Sequence, residues 1–287
     1  MTALAAERLT RRFGHGRRAH TAVDAVDVEF PAGSRTGIVG ESGSGKSTLG
    51  LMLVGLDRPN GGRVLVDGDD LAPRMRTQAG RRAFRREVQL IAQDTSSSFD
   101  PLRTLRDALR TPARQLVGLS IDEADARIAE TLGMLGIDPA FADRYPHEVS
   151  GGQRQRFAIA RALVVRPGFV VCDEVVSALD VSVQGQVLNS LKRYCAQTGA
   201  GLAFISHGLP ATAFISDRLV VMYRGVVVEQ GPTERVIAEP EHPYTRHLLN
   251  AHRGPGFEEH RAEVLAGSEP LVPASEPSAG IAREVTR

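Results

Sequence analysis

Apolar residues along this chain fall into short blocks separated by turn residues, and the spacing inside each block sets the element expected there. Thr21 to Phe30 alternates apolar and polar positions at Val23, Ala25, Val26, Val28 and Phe30 and ends on Pro31-Ala32-Gly33, which predicts a strand of an antiparallel layer. Gly37-Ile38-Val39 is a short buried strand, and Leu49 to Val54 is a helical run. Pro59-Asn60-Gly61-Gly62 then turns the chain into a strand at Arg63 to Val66, closed by Asp67-Gly68. Val88 to Ile91 is a further apolar strand that ends at Ala92-Gln93-Asp94.

Between Asp94 and Phe169 the strand pattern is absent and helical signals replace it. Ser120 and Glu123 have capping-box spacing and open a helix expected to run to about Leu135, where Gly136 stops it. A second helix is expected from Arg154 to Val165, ended by Pro167-Gly168. Phe169 to Cys172 is four apolar residues followed by Asp173 and Glu174, the pattern of a buried parallel strand that delivers two acids at its C-terminal end. A helix through about Tyr194, a strand from Gly201 to Ser206 ending at His207, and strands at Leu219 to Tyr223 and Val226 to Glu229 follow; Thr233 is expected to cap a short helix. Strand and helix in alternation predict an α/β fold: a mostly parallel sheet with helices on both faces, an antiparallel β layer and a helical subdomain. Beyond Arg253 the chain is rich in Gly, Pro, Ser, Glu and Ala, and a disordered tail is expected over 254–287.

Composition narrows the class. The 287 residues are 42% hydrophobic, ample for a globular core, and 35 Lys and Arg nearly balance 34 Asp and Glu. No global field therefore points to nucleic acid or an acidic membrane, and the local arginine runs at Arg8 to Arg18 and Arg74 to Arg86 read as solvated faces. Two cysteines, Cys172 and Cys195, exclude a disulfide framework and fit a reducing compartment. Met1 to Phe13 lacks the apolar core of an export signal, and no apolar run approaches the roughly twenty residues of a membrane helix.

The candidate chemistry centres on Gly40-Glu41-Ser42-Gly43-Ser44-Gly45-Lys46-Ser47-Thr48, which fits the pattern of a phosphate-binding loop between a strand and a helix. Glycines let successive amides face one anionic centre, and the following helix adds a partial positive charge at its N-terminus. Lys46 then reaches the β- and γ-phosphates of ATP, and the Ser47 hydroxyl ligates Mg²⁺. Phe13 is either a core aromatic or a platform for adenine, and its position alone leaves both open.

The phosphate loop is followed in order by Gln93, Ser150-Gly151-Gly152-Gln153, Asp173-Glu174, Ser177 to Asp180 and His207. This series resembles the nucleotide-binding subunit of an ATP-binding cassette (ABC) transporter. Tyr145-Pro146-His147-Glu148, Val181-Ser182-Val183-Gln184 and His242-Pro243-Tyr244-Thr245 resemble its oligopeptide, dipeptide and nickel importer branch. The resemblance implies a RecA-like ATP-binding core over 5–93 and 166–235, a helical signature subdomain over 94–165 and a helical extension over 236–253. It implies Asp173 holding Mg²⁺ with Ser47 and Gln93, Glu174 as general base, and His207 at the γ-phosphate. Ser150, Gly151, Gly152 and Gln153 would close on the nucleotide of a second ATPase subunit in a head-to-tail dimer, with Asp180 linking the two sites. Membrane permease subunits and an extracytoplasmic binding protein are the further partners implied, at the cytoplasmic face of the membrane; nucleic acid is not.

Some residues depart from the pattern. Val175 replaces the Pro many members carry after the catalytic Glu, and Gly208 replaces the Asp usual after His207. With no cysteine beyond Cys195, the iron–sulfur element of some relatives cannot form. The alternative is a soluble ABC ATPase of DNA repair or translation. Against it, residues 94–165 are too short for a repair-type coiled coil, and the chain carries one phosphate loop and one signature.

Overall fold

A computed structural model describes residues 1–14, 16, 19–93, 98–177 and 179–252. The tail expected over 254–287 lies outside these residues, as does Ala178 within the Ser177 to Asp180 stretch. The chain begins with β1 (Leu4–Phe13), β2 (His20–Phe30), β3 (Arg35–Val39), α1 (Lys46–Leu53), β4 (Gly61–Val66), β5 (Asp69–Asp70), α2 (Leu71–Arg74), α3 (Gln78–Glu87) and β6 (Val88–Ile91). The helical stretch follows with α4 (Leu105–Pro112), α5 (Ile121–Met134) and α6 (Gly151–Leu163). Next come β7 (Phe169–Asp173), α7 (Val181–Thr198), β8 (Gly201–Ile205), α8 (Leu209–Ile215), β9 (Arg218–Tyr223), β10 (Val226–Pro232), α9 (Thr233–Ala238) and α10 (Pro243–His252).

Two sheets carry the fold. One is antiparallel in the order β2-β1-β4-β5, and the other runs β10-β9-β3-β8-β7-β6, parallel from β9 to β6 with β10 antiparallel at its edge. The α/β class with an antiparallel layer and a helical portion is as expected. β7 and β8 explain how the sheet is buried on both sides. Val170, Cys172, Leu202 and Phe204 enter one apolar cluster with α4, α5 and α6, while Phe169, Val171, Ala203 and Ile205 enter a second with the antiparallel layer and α1. Period-two alternation here divides one apolar face from another, which is why these strands read as continuous hydrophobic runs. Phe30 and Phe169 meet edge to face at 6.2 Å and join the two sheets.

Several boundaries differ from the sequence expectation for local reasons. β1 had no alternating signal because Arg8, with φ 47°, accompanies a register shift between Ala6 and Leu9. α3 buries Phe84 and otherwise presents polar side chains or alanine and glycine, so its apolar period is too sparse to read. α6 starts at Gly151, because Ser150 caps it reciprocally with Gln153, and α7 runs on to Thr198, where Gly199 at φ 68° ends it. Thr233 does not cap α9: it is the first helical residue, and its buried hydroxyl donates to the Ser216 carbonyl instead. Ser120 and Glu123 form the expected capping box at the head of α5.

Candidate functional site

Four neighbouring parallel strands, in the order β3, β8, β7, β6, converge their C-terminal ends on one cleft. The phosphate loop follows β3, His207 follows β8, Asp173 ends β7 with Glu174 next, and Gln93 lies just beyond β6. Residues far apart in the chain thus stand in a row along the sheet edge, where ligands of open α/β sheets bind. The cleft, about 660 Å³, is lined by Phe13, Ser42, Gly43, Gly45, Lys46, Ser47, Thr48, Gln93, Glu174 and His207, all expected from sequence. His20 and Ala22 also line it; no sequence signal marked them, since both are ordinary residues of β2. A larger hollow of about 1340 Å³ beneath the antiparallel layer contains none of the candidate residues.

The loop is tightly built. Gly40 has φ 155° and Gly45 φ 99°, and a methyl on either would lie 2.1 Å from a backbone oxygen, that of Met222 or Ala22 respectively. Only glycine tolerates both the angle and the approach. Lys46 is buried, and its ammonium donates to the Gly40 carbonyl at 2.7 Å and the Glu41 carbonyl at 2.8 Å, with Ser44 Oγ at 3.4 Å. Burial lowers its pKa, opposed by the negative charges of Glu174, Asp173 and Glu41.

The catalytic candidates form two hydrogen-bonded groups, joined through the adjacent residues Asp173 and Glu174. Ser47 Oγ donates to Asp173 Oδ1 at 3.1 Å, Gln93 Nε2 donates to Glu174 Oε2 at 2.8 Å, and His207 Nδ1 lies 3.3 Å from Glu174 Oε1. Burial, then the neighbouring Glu174 charge, raises the Asp173 pKa, opposed by the Ser47 hydrogen bond and Lys46. Glu174 has φ 51°, a left-handed backbone that a non-glycine residue adopts at a cost of order 1–3 kcal/mol. That turn lifts its carboxylate off the strand axis into the cleft, and nothing in the residue pattern announced it. Val175 is buried in the main apolar cluster, and Gly208 occupies the N-cap of α8.

Phe13 is 42% exposed at the cleft mouth, so it is not a core aromatic. The Arg11 guanidinium covers one face of its ring at 4.4 Å and is itself paired with Asp57 at 2.8 Å. Ser150 to Gln153 and Asp180 do not line the cleft. Ser150 is exposed at the N-terminus of α6, and Gly152 faces Leu179, whose Cδ2 would lie 3.4 Å from a methyl added to that glycine. Asp180 is the exposed N-cap of α7.

The family profile described as ABC transporter matches residues 23–177, more than half of the chain. The chain belongs to the ABC transporter family. A second profile, described as oligopeptide/dipeptide transporter, C-terminal region, matches residues 228–280. The chain is 42% identical to the probable peptide ABC transporter ATP-binding protein y4tS of Sinorhizobium fredii, over 90% of this chain and 72% of that protein. It is 40% identical to the oligopeptide transport ATP-binding protein AppF of Bacillus subtilis, over 80% of this chain and 70% of that one. Among solved structures it resembles the ATP-binding cassette MJ0796 in a dimeric post-hydrolysis state bound to ADP and Pi, with TM-score 0.73 and 26% identity, covering 80% of this chain and 98% of that chain. This ABC protein is an ATP-binding, ATP-hydrolysing transport subunit, of the branch expected from its sequence. Among the described residues no helix is long and apolar enough to cross a membrane.

Proposed function

We propose that this ABC ATPase powers the import of peptides or a related small solute, nickel or a metal chelate included, through separate membrane subunits at the cytoplasmic face. The match of residues 228–280 to the oligopeptide/dipeptide transporter C-terminal region carries the substrate class. The bracketing of Glu174 by Gln93 and His207 carries the chemistry.

In this reading the loop amides and Lys46 bind the ATP phosphates, and Phe13 with its Arg11 neighbour offers adenine a stacking face. Glu174 takes a proton from the attacking water, a role worth about 10²- to 10⁴-fold in rate. Gln93 and His207 hold its two carboxylate oxygens, and His207 also faces the γ-phosphate. Mg²⁺ fits the donors present: Ser47 and Asp173 offer a hydroxyl and a carboxylate 3.1 Å apart, with Gln93 nearby. Such an ion takes one or two protein ligands and completes its shell with water and phosphate oxygens. When bound, it neutralises charge on the phosphates.

Ser150, Gly151, Gly152 and Gln153 act on the nucleotide of a second ATPase subunit, a copy or a homologue, arranged head to tail, and Asp180 links the two sites. The exposure of Ser150, Gly151 and Asp180, the partial exposure of Gly152 and Gln153, and the position of all five outside the chain's own cleft support this. Residues 5–93 and 166–235 form the ATP-binding core, 94–165 the signature subdomain and 236–253 the C-terminal extension. The direct pairing of β6 with β7 around the intervening stretch supports that division. An extracytoplasmic binding protein completes the system.

The test is reconstitution with the co-purifying membrane subunits and their binding protein in proteoliposomes. ATP-dependent uptake of short peptides, measured against nickel and nickel-chelate uptake, is the expected result. Hydrolysis indifferent to the membrane subunits, without uptake of either class, would favour the soluble ATPase.

A further inference from the structure

The phosphate loop is gripped by a part of the chain outside every ATP-binding motif. Just past Gly40, which leaves no room for a side chain beside the Met222 carbonyl, the Glu41 N–H donates to the Tyr244 hydroxyl oxygen at 2.9 Å. Tyr244 lies in the first turn of α10 and is 8% exposed. Its ring stacks on Tyr223 with centroids 4.2 Å apart, and Tyr223 directly follows Met222 in β9. One strand end therefore borders the loop twice, through the Met222 carbonyl beside Gly40 and through the Tyr223 ring on which Tyr244 stacks.

The approach to α10 is anchored as firmly. Glu229, a buried carboxylate of β10, accepts from the N–H groups of Glu241 and His242 at 3.0 Å each, and His242 Nδ1 accepts from the Tyr244 N–H at 3.2 Å. Leu248 and Leu249 pack in one apolar cluster with Val39, the residue before the loop. The His-Pro turn that opens α10 thus delivers a hydroxyl to a defined point.

A phosphate loop works by aiming amides at one anionic centre, and an amide that points elsewhere needs a fixed acceptor or the peptide planes beside it can rotate. We propose that Tyr244 is a positioning residue for the phosphate loop: by accepting the Glu41 amide it fixes the loop entry, and so ties the C-terminal segment 240–252 to ATP affinity. The inference rests on the loop being the ATP site, as read above.

Tyr244→Phe keeps the ring stack and removes the hydroxyl. The expected result, from the net worth of one hydrogen bond, is a rise of about three- to tenfold in the Kd and KM for ATP, with kcat within about twofold and Tm nearly unchanged. Amide exchange in residues 40–42 should quicken in the same variant. Glu229→Gln, which weakens the anchor without touching the loop, should shift Kd in the same direction by less. Lys46→Ala is the control for the loop itself. Unchanged Kd and KM in Tyr244→Phe, with ATP binding lost in Lys46→Ala, would overturn the positioning role and leave the loop reading standing. Unaltered binding in both variants would sink the loop reading and the inference together. A joint fall of kcat and Tm without the Kd shift would make Tyr244 a packing residue and also refute the proposal.

Discussion

The phosphate loop and the Ser150 signature are both glycine-rich turns into a helix, yet their glycines answer to different neighbours. At Gly40 and Gly45 an added methyl would strike a backbone carbonyl of the same chain at 2.1 Å. At Gly151 it would meet nothing within 4 Å among the described residues, and at Gly152 it would reach ordinary contact with Leu179. The loop is also tied to its own chain, with Lys46 on two loop carbonyls, Ser47 on Asp173 and Glu41 on Tyr244, whereas the Ser150 side chain accepts from the Gln153 amide of its own capping box. One turn is explained by the chain that contains it. The other leaves Gly151 without an internal reason, as a surface that receives a nucleotide from a second subunit would.

The sharpest way to probe the contrast is to stall the complete half-site. Glu174→Gln should bind ATP and lower kcat by about 10²-fold or more, with the closed dimer accumulating in size-exclusion chromatography. Retained turnover would remove Glu174 as the base. Next in size, Gly151→Leu fills open space, so Tm and ATP binding by the monomer should hold while ATPase activity at dimer-forming concentration falls by about 10- to 100-fold. If activity persists, the signature does not meet the partner's nucleotide.

Gly45→Ala probes the opposite turn. With φ 99° and the Ala22 carbonyl in the way, it should destabilise the folded protein by about 1–3 kcal/mol, read as a fall in Tm alongside weaker ATP binding. A stable variant would mean the loop relaxes freely.

The smallest effect concerns the helical stretch that carries the signature. There Arg110 pairs with Asp125, and Arg106 binds Asp143 at 2.6 Å. Hydrogen bonds from these guanidinium groups hold both aspartates below their ordinary value of 3.8. The folded chain therefore binds fewer protons than the unfolded one. Stability from these pairs is complete above that value and is lost as pH falls through it toward the depressed folded values. Because the pairs are partly exposed, Arg110→Met should cost about 0.2–1 kcal/mol at pH 7 and progressively less as the aspartates protonate. Urea unfolding at pH 7 and near pH 3 checks this, and an equal loss at both would assign the effect to packing.

Much of the molecule was legible before folding, unevenly. β6 and β7 announced themselves as apolar runs, and the Ser120 capping box located α5, because these signals are local and survive in any context. β1 stayed hidden since a bulge at Arg8 breaks its period, and α3 since one buried side chain, Phe84, makes no stripe. In and beside the cleft, Gln93, Asp173, Glu174 and His207 could be picked out by residue type and order. His20 and Ala22 could not, because they line it from a strand with no chemical motif of its own.

The sequence by itself determined the family, the phosphate loop with its lysine, the two acids at the end of a buried strand and the capping box that opens α5. Each of these depends on a few consecutive residues whose chemistry and backbone preferences suffice. Only the tertiary structure decided that β3, β8, β7 and β6 lie side by side, so that Gln93 and His207 grasp the same carboxylate from opposite sides. It alone decided the left-handed turn at Glu174 and the reach of Tyr244 to an amide 203 residues away. Strand order and long-range hydrogen bonds depend on which surfaces bury each other best, a sum over the whole core that no local stretch of residues contains.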